Sequence, residues 1–298
     1  MTAKVREIGP GFGAEIRGFD ASRPLSSQKI GFVEAQIAAH GVLVFREQIL
    51  TDEAQIAFTR NFGALHRSIA SNRTDITRAV KSEEISEITN VAADGSIMPR
   101  DNASRVQQRA NLLWHTDNSF RKPAGAYTLL NARIVPPQDG ETEFADMRGA
   151  YDALSAEMKS RIADLKVRHD LARSRELAGT GGVFDVAERS RFPPTVQPLV
   201  RRHELSGRCA IYLGSHADQI VGWTPKAGRA LIAELLAFAT QPCFVYRHSW
   251  EVGDLVMWDN RITLHRALPF EDLTYRRDMR RTSTMIAPEQ DVGEEVAG

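Results

Sequence analysis

From residue 127 to residue 286 the chain is a succession of short runs rich in β-branched and aromatic side chains, and this pattern constrains the fold more than any other feature. The runs cover 127–135, 142–147, 199–201, 209–213, 244–250, 255–258, 262–266 and 277–286. Between them stand Pro136-Pro137-Gln138-Asp139-Gly140, Ser206-Gly207 and Val252-Gly253-Asp254, whose Pro, Gly and Asp residues favour tight reversals. Short strands joined by such turns argue for a β-sandwich or barrel. Two helices interrupt them. One is expected over 149–165, with Leu154, Met158, Ile162 and Leu165 on one side; the other, over 225–240, follows a capping Thr224 and a Pro225 at the first helical position. The expected architecture is mainly β with flanking helices, an antiparallel sandwich of jelly-roll type.

The first sixty residues read as two helices around a short strand. After Ser26 and Ser27, apolar residues recur at Ile30, Val33 and Ile37 until Gly41, and Val42-Leu43-Val44-Phe45 follows as a strand. Asp52 with Gln55 resembles a capping box, Ile56, Phe58 and Phe62 give an apolar side, and Gly63 ends the helix. Residues 68–110 are polar, carry charges of both signs and show little periodicity beyond a strand near 85–91. So long a connection is either a lid or disordered, and a lid over 68–110 is the expectation. Residues 1–298 are assigned to a single domain without internal repeats.

Lys and Arg number 38, as do Asp and Glu, so no global field recruits nucleic acid or an anionic membrane. A small molecule is the expected partner. The N-terminus lacks an apolar signal stretch and no run approaches the roughly 18 apolar residues of a spanning helix, so a cytoplasmic protein with no membrane partner is expected. A homo-oligomeric state is expected too. Cys209 and Cys243, the two cysteines, lie in apolar runs where buried thiols usually sit, which argues against a disulfide framework or a thiolate metal site.

Chemistry-bearing residues concentrate in a few places. In Trp114-His115-Thr116-Asp117, His and Asp two residues apart can point the same way from extended backbone, and one more neutral imidazole would complete a 2-His-1-carboxylate face with open positions, suited to non-haem Fe(II). His265 is a candidate for that imidazole, returned to the sheet by a turn at Asp259-Asn260; it could equally be a hydrogen-bonded core histidine. In Arg276-Arg277-Asp278-Met279-Arg280-Arg281, a strand puts Arg277, Met279 and Arg281 on one face and Arg276, Asp278 and Arg280 on the other. Two inward guanidinium groups would call for carboxylate ligands, whereas a solvated edge strand would not; parity alone leaves the choice open. Thr142 could donate to a carboxylate or merely form strand. Asn111 could meet a substrate or satisfy a turn, and His216 could line a pocket or face solvent.

Three blocks together resemble the Fe(II)/2-oxoglutarate-dependent dioxygenases of the taurine and 2,4-dichlorophenoxyacetate dioxygenase family. They are Asn111-Leu112-Leu113-Trp114-His115-Thr116-Asp117, then Pro136 through Gly140-Glu141-Thr142 to Arg148, then Trp258-Asp259-Asn260-Arg261 through His265 to Arg281. The likeness begins near Gly41 and is closest to the 2,4-dichlorophenoxyacetate branch through Asp146-Met147-Arg148-Gly149-Ala150-Tyr151-Asp152-Ala153-Leu154 and Tyr246-Arg247-His248-Ser249-Trp250. The resemblance implies a double-stranded β-helix, with His115, Asp117 and His265 as Fe(II) ligands. It implies that Thr142 and Arg277 hold the distal carboxylate of 2-oxoglutarate, with Arg276 as the alternative because the segment after His265 is one residue longer than the family spacing. Arg281, the Asn118 backbone, Asn111 and His216 would face an aromatic carboxylic acid. O2 would be consumed, ascorbate would stimulate turnover, and hydroxylation beside an ether oxygen would give a phenol and a glyoxylate-type acid with succinate and CO2. A taurine or alkylsulfonate substrate is the nearest alternative; a Zn hydrolase or a non-catalytic jelly-roll binding protein would belong to other classes.

Overall fold

In the computed structural model, residues 3–295 are described except 74, 75, 77 and 182–185. The elements are β1 (Lys4–Glu7), β2 (Ala14–Arg17), α1 (Ser27–His40), β3 (Val42–Phe45), α2 (Asp52–Arg60), β4 (Ser86–Thr89), α3 (Ala103–Gln108), β5 (Gly125–Ile134), β6 (Thr142–Asp146), α4 (Met147–Ala153), α5 (Ala156–Ile162) and β7 (Lys166–His169). They continue with α6 (Leu171–Leu177), α7 (Val186–Arg191), β8 (Thr195–Pro198), β9 (Val200–Arg202), β10 (Cys209–Ile211), β11 (Ala217–Ile220), α8 (Pro225–Ala239), β12 (Val245–His248), β13 (Leu255–Asp259), β14 (Thr263–Ala267), β15 (Asp278–Met285) and β16 (Glu294–Glu295).

Two sheets form the sandwich that carries the site. The larger has the order β1-β2-β3-β13-β5-β15-β4 and the smaller the order β12-β6-β14. Among their pairings only β2 with β3 is parallel. Phe144 from β6 meets Val256 and Trp258 of β13, Leu130 and Ala132 of β5 and Met279 of β15 in the layer between them. Alternation along β5 sends Leu130 and Ala132 into that layer and Tyr127 and Leu129 to the other face, where α1 and α2 cover the sheet through Val33, Ile37, Phe58 and Phe62. Behind the small sheet, Leu264 and Ala145 pack against α4 and against Leu231, Ile232 and Leu235 of α8. The sandwich is mainly antiparallel and flanked by helices, as the strand pattern implies.

Local signals account for most element ends. Ser26 caps α1 by accepting from Lys29 N, and Gly41 closes it at φ 71°, a left-handed position that glycine adopts without a Cβ penalty. α8 starts at the expected Thr224-Pro225. Other expectations need correction. The helix expected over 149–165 is two helices, α4 and α5, because Leu154 turns extended and Ser155 caps a new start by accepting from Met158 N. Thr51, not Asp52, caps α2, and the Gln55 side chain instead donates to Arg280 O across the sheet. The turn at Asp259-Asn260 does not return the chain to the same sheet: β13 lies in the large sheet and β14 in the small one, so the turn spans the sandwich. Cys209 is half-buried and Cys243 exposed in a 3-10 turn, since the latter precedes β12 rather than lying within it. Segment 68–110 supplies a 3-10 turn, the edge strand β4 and α3. No helix among the described residues is long and apolar enough to cross a membrane.

Arg148, about 1% exposed, ties α4 to the end of α1. Its Nε donates to Asp146 Oδ1 at 3.1 Å, and Nη1 and Nη2 donate to Ala38 O at 2.6 Å and Ala39 O at 3.2 Å. The guanidinium thereby satisfies carbonyls at the negative end of the α1 dipole. Replacing it with Met keeps the bulk but strands Asp146 and those carbonyls. Arg148→Met should lower the urea unfolding free energy by about 3 kcal/mol or more, the scale for breaking a buried ion pair.

Candidate metal centre

His115 and Asp117 lie on an irregular segment that is held to β14 by a two-way backbone bridge: His115 N donates to His265 O at 3.0 Å, and His265 N to His115 O at 2.8 Å. Two glycines let neighbouring backbone press on this segment. A Cβ on Gly125 would stand 2.6 Å from Asp117 O, and one on Gly214 would stand 3.1 Å from His115 Cα, with φ at 146° besides. Thr116 Oγ1 donates to Asn260 O at 2.6 Å, so the turn between β13 and β14 clamps the same segment from the other side.

The bridge brings three ligand atoms together. His115, Asp117 and His265 each offer one atom, all within 4.8 Å of one another, and each residue is buried. His115 Nε2 is 4.0 Å from Asp117 Oδ1, and His265 Nε2 is 3.6 Å from Asp117 Oδ2. The His115 Nδ1 proton goes to Leu113 O at 2.7 Å, which leaves the Nε2 lone pair facing the carboxylate. Burial pushes both imidazoles below their ordinary pKa and so keeps them neutral. Burial raises the Asp117 carboxyl, but the Arg281 guanidinium and the Thr128 hydroxyl help outweigh it and hold the group below the usual carboxylate range. Two neutral imidazoles and one ionised carboxylate are the protonation states a divalent metal requires.

The inward face of the arginine run is settled by burial. Arg277 is about 6% exposed and Met279 is in the core, whereas Arg276 is exposed. Arg276, the alternative for the carboxylate site, thus lies on the exposed side of the run and does not line the recess that Arg277 shares with Thr142; nearby, the pairing of β15 with β5 leaves Arg133 of β5 unpaired between Asp278 and Met279. Arg277 lines the same recess as Thr142, Leu130, Trp258, His115 and His265. Burial lowers its pKa to about 10, which still leaves it charged at neutral pH, and its buried Nε has no hydrogen-bond partner. Thr142 Oγ1 accepts from the Trp250 indole at 3.0 Å; since an indole nitrogen only donates, the Thr142 proton remains available to an acceptor. A buried cation and a free hydroxyl proton facing one recess fit the carboxylate of a keto acid.

The other expected residues surround this centre. Arg281 donates to Asp117 Oδ1 at 2.9 Å, so it reaches the ligating carboxylate itself as well as the recess. His216 is buried, its ring 6.4 Å from that of His115 and 4.7 Å from that of Phe120. Asn118, at φ 58°, shares a second recess with His66, Arg121 and Arg281. Asn111 lines both the metal recess and an adjoining cavity of about 490 Å³. Ile88, Thr89, Asn90, Arg100, Arg105, Gln108 and Arg109 of segment 68–110 form much of that cavity's wall. Sequence reasoning overlooked Thr128 and Asn260, both fully buried beside Asp117; the available signal was a hydroxyl inside the apolar run of β5.

A family model described as taurine catabolism dioxygenase TauD, TfdA family matches residues 4–283. The chain is 42% identical over 285 residues to an alpha-ketoglutarate-dependent 2,4-dichlorophenoxyacetate dioxygenase of Cupriavidus pinatubonensis, covering 96% of this chain and 98% of that one. It is 35% identical over 277 residues to an (S)-phenoxypropionate/alpha-ketoglutarate-dioxygenase of Sphingobium herbicidovorans, covering 90% of each. Among solved structures, AAD-2 in complex with Mn(II) and N-oxalylglycine superposes with a TM-score of 0.87 at 37% identity, over 100% of both chains.

Behind the metal centre, His169 is fully buried with Nδ1 2.9 Å from Ser119 Oγ, and burial lowers its pKa to about 3. Below about pH 6.5 the unfolded chain binds a proton at this imidazole that the folded chain refuses, so the contribution is complete above that pH and is lost as pH falls towards 3. Between pH 7 and pH 5 the urea unfolding free energy should fall by about 2 kcal/mol more in the wild type than in His169→Gln.

Proposed function

We propose, because the chain belongs to the taurine catabolism dioxygenase TauD, TfdA family and is a 2-oxoglutarate-dependent dioxygenase, that His115, Asp117 and His265 hold its Fe(II), that Thr142 and Arg277 hold the distal carboxylate of 2-oxoglutarate, and that it hydroxylates an aryloxyalkanoate or related aromatic acid. The observation that carries the cosubstrate assignment is Arg277, a buried guanidinium without a carboxylate partner among the described residues, in one recess with two of the three metal-ligand candidates. A cation left in that state costs several kcal/mol unless an anion meets it. When bound, Fe(II) with 2-oxoglutarate and O2 supplies the oxidising power for C–H hydroxylation, with release of succinate and CO2.

The chain's own residues bind, orient and exclude water. The bond from His115 Nδ1 to Leu113 O keeps one lone pair aimed at the centre, and the ionised Asp117 needs no proton removed before it ligates. Thr142 and Arg277 offer a hydroxyl proton and a guanidinium to one carboxylate, which fixes the direction in which a keto acid points. For the substrate, Arg281 and Arg121 supply positive charge in the recess beside Asn118, while Phe120 and His216 offer an aromatic wall next to His115. Within the expected lid segment, residues 88–109 wall much of the large cavity and serve as the lid of the site. Hydroxylation of the carbon beside an ether oxygen yields a hemiacetal, which collapses to a phenol and a glyoxylate-type acid. The 42% identity to a 2,4-dichlorophenoxyacetate dioxygenase supports this substrate class over a sulfonate.

Incubation with Fe(II), ascorbate, 2-oxoglutarate and 2,4-dichlorophenoxyacetate should give succinate and 2,4-dichlorophenol in equal amounts, and His265→Ala should abolish both. Arg277→Met should raise the KM for 2-oxoglutarate by roughly 30-fold or more, the effect of truncating one partner of a buried charge pair, with a smaller change in the KM for the acid. Sulfite from taurine, with no phenol from aryloxyacetates, would overturn the substrate reading.

A further inference from the structure

Donors that have no alternative role fix the proton directions around Asp117. The Trp258 indole Nε1 and the Asp117 backbone N each lie 3.1 Å from one side-chain atom of Asn260. Both can only donate, so that atom is the amide oxygen and the other is the NH2 group. The NH2 group lies 2.9 Å from Thr128 Oγ1 and donates to it. Thr128 has one proton, and it goes to Asp117 Oδ2 at 2.9 Å, an acceptor only once ionised. Ser283 Oγ, 3.0 Å from Thr128 Oγ1, must then be a donor as well. Thr128 and Asn260 are fully buried and Trp258 is about 1% exposed, so solvent does not compete for these bonds. With Arg281 on Oδ1 at 2.9 Å, the carboxylate is gripped at both edges.

We propose that Thr128, oriented by Asn260, is a positioning residue for the metal: its hydroxyl fixes the rotation of the Asp117 carboxylate so that the group meets the ion in one orientation. The inference rests on the reading of His115, Asp117 and His265 as Fe(II) ligands. A carboxylate free to turn about its Cβ–Cγ bond must be ordered when the ion binds, and loss of such an outer partner typically lowers metal affinity about 10–100-fold. Thr128 lines neither the recess shared by Thr142 and Arg277, nor the large cavity, nor the recess beside Asn118, which it approaches only through Ser283, so its direct effect is on the Asp117 carboxylate.

The test is titration of the metal-free protein with Co(II), reading affinity by calorimetry and ligand geometry by visible absorption, with folding checked by circular dichroism. Thr128→Val keeps shape and removes the hydroxyl; it should weaken Co(II) binding roughly 10–100-fold and alter the spectrum, while Thr128→Ser stays within about threefold of wild type. Should Thr128→Val not fold, Thr128→Ala is judged by the same criteria. Wild-type affinity and spectrum in the folded hydroxyl-free variant would overturn the proposal, as would equal losses in Thr128→Ser, because packing and not the hydroxyl would then be responsible. Absence of Co(II) binding by the wild type, or unchanged binding in His115→Ala, would instead overturn the ligand reading on which the proposal stands.

Discussion

The backbone bridge between His115 and His265 is the interaction on which the site depends. It is a single antiparallel contact between β14 and a segment that belongs to no regular strand, yet it brings together residues from distant parts of the chain and aims both imidazoles at one carboxylate. Every neighbouring feature supports that contact. Gly125 and Gly214 allow the backbone to close on it, the Asn260 side chain and carbonyl take up the groups of Thr116 and Asp117, and the crossing from β13 to β14 carries His265 to the opposite sheet. A two-sheet sandwich is well suited to this, because strands of both sheets line one recess and each contributes a side chain.

Charge is distributed over the site with a clear division of work. Asp117 is saturated by donors and stays ionised, while the imidazoles stay neutral because burial disfavours their charged form. Arg277 is the opposite case, a buried cation with no matching anion among the described residues. Arg281 stands between them, tied to Asp117 yet lining the recess that holds Arg277, so one guanidinium links the carboxylate of the triad to the recess of the unpaired cation. Under the proposed reading, this asymmetry between two arginines four residues apart would let a metal and a dianionic cosubstrate share a small volume.

Much of this was legible in the sequence because strand alternation and short motifs are local signals. The β-rich runs, the caps of α1 and α8 and the His115-Thr116-Asp117 pair could be read directly. The resemblance supplied His265 as the distal partner, since no local signal separates it from a core histidine. What the sequence withheld was long-range. Which face of the arginine strand points inward depends on the packing of Met279 and on an irregular register, and the sheet to which β14 belongs depends on a crossing rather than a hairpin. Thr128 and Asn260 went unread because a Thr in a strand and an Asn in a turn have ordinary structural explanations, and only their convergence on Asp117 gives them a role. The edge strand β1 was also missed: its four residues are all exposed and carry no apolar alternation.

The most direct measurement is a crystal structure of the protein with Mn(II) and N-oxalylglycine. The account predicts the ion bound by His115, Asp117 and His265, with the distal carboxylate of the inhibitor hydrogen-bonded to Thr142 and Arg277. An ion held by other side chains, or an inhibitor carboxylate placed on Arg276 or in the recess beside Asn118, would contradict it.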